Sequence, residues 1–141
     1  RDVLGSRGLG DVYKRQEQLL REVHLSPDHL DRYPHEVSGG ECQRAAVLRA
    51  LCLRPKLLIC DEATSALDVS IREEIASLIK ASCQRHQIAC LFITHDLRLA
   101  RQLCDTMLVM NRGRVVERGE TETVFSHPRA DATKALLDSL L

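Results

Sequence analysis

Val37-Ser38-Gly39-Gly40-Glu41 is a short polar run set directly ahead of a helix-forming segment, and Leu57-Leu58-Ile59-Cys60-Asp61-Glu62 follows it as a run of apolar residues closed by two carboxylates. The reading of these two landmarks decides the fold. A serine followed by two glycines leaves backbone N–H groups uncovered at a helix start, where unpaired amides and the positive end of the dipole favour a phosphate. A plainer reading fits the same residues. Ser38 and Glu41 have the spacing of a capping box, in which the serine oxygen accepts from a helix amide and the glutamate reaches back to the serine N–H. The downstream residues must separate the two.

Working outward, residues 41–53 carry alanine, leucine and arginine at helical spacing, and Arg54-Pro55-Lys56 stops that helix. Residues 57–60 then read as a buried parallel strand whose C-terminal end opens on a site at Asp61 and Glu62. A small-residue loop, Ala63-Thr64-Ser65-Ala66-Leu67-Asp68, leads to a helix over 70–83 with Ile71, Ile75, Leu78 and Ile79 on one face. Residues 88–93 read as a second buried strand ending in Thr94-His95-Asp96. A helix over 97–103 and a strand over 106–110 follow, and Asn111-Arg112-Gly113-Arg114 turns that strand into a hairpin with 115–117. Two short helices, 120–125 and 130–140, are separated by His127-Pro128. Helix and strand alternate, which predicts an α/β fold with a mainly parallel sheet and a C-terminal hairpin.

Upstream, residues 17–25 have a helical pattern in Leu19, Leu20 and Val23, and Ser26-Pro27 starts a further short turn. Arg32 and Tyr33 are held extended by Pro34, which delivers the chain to Ser38. Residues 6–16, from Ser6 to Gln16, differ in character and resemble the translation of a transposase-type sequencing adaptor. They are set apart as a processing scar, giving a division into 1–16, non-native, and 17–141, a partial domain. The glycines at 5, 8 and 10 lack the G-x-x-x-x-G-K-[ST] order, and no phosphate-binding role is assigned to them.

The chain has 141 residues, 44% of them hydrophobic and 28% charged, which suits one globular domain with its own core. Its formal net charge is zero, so no basic excess holds nucleic acid or an anionic membrane. No apolar run is long enough to cross a bilayer. The six cysteines form no C-x-x-C pair, and most of them lie among apolar neighbours and read as small buried hydrophobes in a reducing compartment. The histidines show no close metal-ligand spacing, and His95 alone is singled out among them.

Taken in order, these motifs resemble the C-terminal half of an ABC transporter ATP-binding subunit, a P-loop NTPase domain. Val37-Ser38-Gly39-Gly40-Glu41, with Gln43-Arg44 after it, resembles the LSGGQ signature; residues 57–62 resemble the Walker B strand, Ser65-Ala66-Leu67-Asp68 the D-loop, and His95 the switch histidine. Four landmarks in this order are specific where any one is weak. The resemblance implies that ATP and Mg2+ are the cofactors, with Asp61 holding the magnesium and Glu62 and His95 catalytic. It implies that Ser38, Gly39, Gly40, Glu41 and Asp68 contact the nucleotide held by a partner, because two such domains sandwich two nucleotides head to tail. Glu41 stands where the family has glutamine and puts a carboxylate beside phosphate. Residues 17–141 show no P-loop run, adenine-stacking aromatic or identifiable Q-loop glutamine, so the chain alone is expected to be inactive.

Residues 89–97 and the tail Val124-Phe125-Ser126-His127-Pro128 with Lys134-Ala135-Leu136-Leu137 resemble the ATPases of peptide and nickel import. The implied function is an ATP-hydrolysing subunit that powers solute uptake at the cytoplasmic side of the inner membrane. Its implied partners are a second ABC ATP-binding subunit, integral membrane permease subunits and, indirectly, a solute-binding protein, with no nucleic acid. Two other readings stand beside it: a non-transport ABC ATPase, and a non-catalytic dimer partner that supplies only the signature.

Overall fold

The computed structural model describes residues 14–139. Residues 14–22 are helical (α1), and two 3-10 turns, Pro27–Asp31 and Pro34–Glu36, lead into α2 (Gly39–Cys52). Then come β1 (Leu57–Asp61), α3 (Val69–His86), β2 (Ala89–Ile93), α4 (Leu97–Leu103), β3 (Thr106–Asn111), β4 (Arg114–Glu120), α5 (Thr121–Ser126) and α6 (Asp131–Asp138). This is the α/β alternation that the sequence predicts. Of the stretch set apart as a scar, residues 1–13 lie outside the described residues, while 14–16 are helical and continuous with 17–22.

β1 and β2 pair in parallel. At one end the Ala89 N–H donates to the Lys56 carbonyl at 3.0 Å, and at the other the Glu62 N–H donates to the Ile93 carbonyl at 2.9 Å. The expectation of two fully buried strands is corrected here. Leu58 and Cys60 are buried, but Leu57 and Ile59 are 51% and 57% exposed, and Leu91 and Ile93 are exposed on β2. A parallel strand is buried only when both faces of its sheet are covered. The described residues bury alternate side chains of β1 and leave the others bare. The expected mainly parallel sheet is, among these residues, one parallel pair and one antiparallel pair.

The described residues form two compact units, one from 14–59 and 63–91, the other from 60–62 and 92–139. In the first, Val23 beyond α1, Val47 and Leu51 of α2, and Ile75, Leu78 and Ile79 of α3 are buried. Arg44, also buried, joins three elements: its guanidinium lies 2.6 Å from Glu74 of α3 and donates to the Val23 carbonyl at 3.4 Å. That arginine is a structural tie.

The second unit is built on the β3–β4 hairpin. Arg112 and Gly113 turn it with φ of 48° and 75°, the two left-handed residues that a tight hairpin needs. Pairing runs from Asn111↔Arg114 to Thr106↔Glu120, with an irregularity between Val109 and Met110, so β4 is longer than its apolar residues indicate. Met107 and Val109 pack with Ala100 of α4 and Val124 of α5, and Phe125 closes this cluster. At the start of α6 the Glu117 carboxylate accepts from the Arg129 and Ala130 N–H groups at 2.9 and 3.0 Å. Sequence reading assigned Glu117 no role, because capping from a distant strand leaves no local signal.

Candidate functional site

In the first unit, α2 begins as a true capping box. Ser38 is extended, its hydroxyl accepts from the Glu41 N–H at 3.3 Å, and the Glu41 carboxylate accepts from the Ser38 N–H at 2.7 Å. Ser38 and Gly39 are exposed. Gly40 is buried, and a Cβ there would come within 2.9 Å of Ile71 Cγ2, so this glycine admits the close approach of α3. Gly39 lies above Leu67, whose Cδ2 would sit 3.5 Å from a Cβ. Asp68, the N-cap of α3, makes no side-chain cap hydrogen bond; its carbonyl accepts from the Arg72 N–H at 2.8 Å. It leaves an exposed carboxylate beside the loop that meets Gly39.

His29 also belongs to this end of α2 and was missed in the sequence. Its Nε2 donates to Glu41 Oε1 at 2.9 Å. That hydrogen bond, followed by those from the Ser38 N–H and hydroxyl, pulls the Glu41 carboxyl down to about 2. The available signal was local: Ser26 and His29 cap the short Pro27–Asp31 turn, which fixes where the ring lies.

In the second unit, Asp61 and Glu62 end the strand and both are exposed. Glu62 has φ of 46°, a left-handed conformation costing a non-glycine residue roughly 1–2 kcal/mol. Such strain clusters where a side chain must be aimed. The Glu62 backbone remains held by Ile93, and its carboxylate meets His95: Nδ1 lies 3.1 Å from Oε1. A carboxylate only accepts, so Nδ1 carries the proton and Nε2 is left to face outward. His95 stands just ahead of α4, whose N-cap Asp96 accepts from the Leu99 N–H at 3.1 Å. Glu62 and His95 thus follow two neighbouring strands, and the fold brings their side chains into contact.

Among the described residues, no three metal-ligating side chains converge. The donor set nonetheless fits magnesium shared with a nucleotide, since Mg2+ in phosphate sites takes one or two carboxylates and fills its other positions with phosphate and water. Asp61 supplies one such exposed carboxylate. Cysteine chemistry finds little support: none of the six cysteines is in a disulfide, and burial together with the Cys90 thiol pushes Cys83 up to about 12. Cys60 and Cys83 are buried, Cys42 and Cys104 half-buried, and Cys52 and Cys90 exposed, so the reading of most of them as buried hydrophobes is corrected.

Comparison with known proteins agrees with this arrangement. The ABC transporter family model matches residues 10–65, beginning inside the stretch set apart as a scar. The chain is 44% identical over 120 residues, 85% of its length, to an oligopeptide transport ATP-binding protein of Mycoplasma pneumoniae, of which it spans 14%. Its similarity to the oligopeptide transport ATP-binding protein of Salmonella typhimurium is 42% over 130 residues, covering 92% of this chain and 39% of that protein. The dipeptide transport ATP-binding protein of Lactococcus lactis subsp. cremoris is 44% identical over 123 residues, 87% of this chain and 39% of the relative. The chain therefore spans well under half the length of these relatives. No helix among the described residues is long and apolar enough to cross a membrane. With signature, paired strand-end carboxylates and histidine in family order, the chain belongs to the ABC transporter family.

Proposed function

We propose that residues 17–141 form part of an ATP-hydrolysing subunit that drives import of a peptide-like solute, or of nickel, through a separate membrane permease. The contact between Glu62 and His95 is the observation that carries it. Glu62 takes the proton from the attacking water, and His95 orients that carboxylate through Nδ1–H while its Nε2 is directed at the terminal phosphate. Asp61 would hold Mg2+, which when bound would supply neutralisation of phosphate charge. Ser38, Gly39, Gly40 and Glu41 meet the nucleotide of a second ATP-binding subunit, and Asp68 acts across the same dimer interface. The names of the relatives favour peptide transport over a non-transport role. The permease, reached with the help of a solute-binding protein, places the subunit at the cytoplasmic face of the inner membrane.

The test is made in the complete subunit. Glu62→Gln retains hydrogen bonding but cannot take a proton, so ATP binding persists while turnover falls by roughly 100-fold or more. Ser38→Arg blocks ATP-driven dimer closure, read by size-exclusion chromatography. Undiminished turnover in the first variant refutes the general base, and normal closure in the second refutes the shared phosphate site.

A further inference from the structure

Arg72 lies one turn into α3 and holds two consecutive carbonyls of the loop ahead of that helix. Its backbone N–H donates to the Asp68 carbonyl at 2.8 Å, and its guanidinium Nη2 donates to the Leu67 carbonyl at 3.1 Å. The first is the ordinary bond that opens a helix; the second sets a charged donor on a loop carbonyl, a stronger class of hydrogen bond. From the other side the Leu67 N–H donates at 3.2 Å to the carbonyl of Thr64, which is itself buried. The peptide groups before and after Leu67 are therefore both pinned.

Two features of the site depend on where Leu67 sits. Asp68 is the N-cap of α3, yet its side chain makes no cap hydrogen bond, so the exposed carboxylate is aimed by the backbone that carries it. Leu67 is half-buried, and its Cδ2 lies 3.5 Å from where a Cβ on Gly39 would stand, so its side chain is seated against the start of α2. The contact continues into α3. A Cβ on Gly40 would meet Ile71, and Arg44 pairs with Glu74, three residues further along the same helix face. The loop that bears Asp68 and the glycines that open α2 thus share one support, and the Arg72 guanidinium fastens its loop end.

We propose that Arg72 is a positioning residue for the half-site that this chain lends to its partner's nucleotide, holding Asp68 and the start of α2 in register through the Leu67 carbonyl. This rests on the reading of Ser38, Gly39, Gly40 and Asp68 as contacts to that nucleotide. Arg72 acts through Leu67 and touches no phosphate. Because the residues it positions meet ATP held by the other subunit, it governs the closing of two subunits over ATP and not the first binding of ATP by one of them. A lysine in its place supplies a donor but no planar fork, so it restores the tie only in part.

The experiment uses the complete subunit carrying Glu62→Gln, in which ATP is bound and not turned over. Two quantities are measured: the affinity of the dilute single subunit for a fluorescent ATP analogue, and the ATP concentration at which dimers appear in size-exclusion chromatography. Arg72→Met keeps the length of the side chain and removes every donor. It is expected to leave the single-subunit affinity within about twofold and to raise the ATP concentration for closure roughly tenfold, the scale of one hydrogen bond. Arg72→Lys recovers part of that loss. With Asp68→Ala already present, the shift caused by Arg72→Met shrinks, since the two changes act along one path.

Unchanged closure in Arg72→Met overturns the proposal. So does a fall in single-subunit affinity that matches the loss of closure, which would make Arg72 a support of the fold alone. If Arg72→Met does not fold, Arg72→Lys decides: weakened closure at unchanged single-subunit affinity supports the proposal, and any other result refutes it. If Ser38→Arg blocks closure while Arg72→Met changes nothing, this proposal alone fails; if Ser38→Arg leaves closure intact, the shared-site reading fails with it.

Discussion

Gly39 and Gly40 are adjacent and chemically identical, yet their surroundings separate them. Ile71 Cγ2 would lie 2.9 Å from a Cβ on Gly40, whereas Leu67 Cδ2 would lie 3.5 Å from one on Gly39, an ordinary contact. Gly40→Ala is therefore expected to destabilise the chain by about 1–3 kcal/mol through overpacking, measured by denaturant unfolding. In an Ile71→Ala background the loss should shrink, because the two positions share one contact; equal losses in both backgrounds would refute the packing account. Gly39→Ala should leave stability nearly unchanged, so any defect in ATP-driven closure there reports on binding. From sequence the two glycines look alike as phosphate contacts, and only the position of α3 tells them apart.

At the scale of elements, helix ends show how the chain does without glycine. His24, Arg54 and Gln87 follow α1, α2 and α3 with φ of 56°, 49° and 55°, all left-handed. After α1 the Leu25 N–H reaches back to the Leu20 carbonyl at 2.9 Å, and after α3 the Ile88 N–H reaches the Cys83 carbonyl at 2.8 Å. Proline after Arg54 and Ser26-Pro27 after α1 were legible stops, but the end of α3 at Gln87 carries no glycine and no such mark. α6 is started by Glu117 in place of a local cap. The Glu117 carboxyl is held below its ordinary 4.5 by the nearby Thr133 hydroxyl and then by the Arg129 and Ala130 N–H groups that it accepts from. A depressed folded value means that this stabilisation is full above the unfolded value and is lost as pH falls through the folded one. Acidification below about pH 4.5 should therefore loosen α6, followed by amide exchange, and Glu117→Gln should weaken α6 at neutral pH and flatten that response. An unchanged acid response in the variant would place the titrating group elsewhere.

On the scale of the whole molecule, exposed apolar side chains are concentrated on strands: Leu57, Ile59, Leu91 and Ile93 on the parallel pair, Leu108, Met110 and Val115 on the hairpin. Contiguous apolar strand surface promotes association. The chain on its own is expected to bind a hydrophobic dye and self-associate with rising concentration, measured by light scattering, and Ile59→Lys with Leu57→Lys should reduce both; unchanged scattering would show that these faces are not the adhesive ones. The sequence by itself determined the order of elements, the turn at Arg112-Gly113 and the strand-end positions of Asp61, Glu62 and His95, because local propensity and apolar runs are written residue by residue. It also determined the family, through four short motifs in fixed order. Only the tertiary structure decided which strand faces stay bare, which glycine is a packing requirement, and that His29, twelve residues before Glu41, reaches its carboxylate. Those facts depend on side chains from separate elements meeting in space, and no local pattern encodes such a meeting.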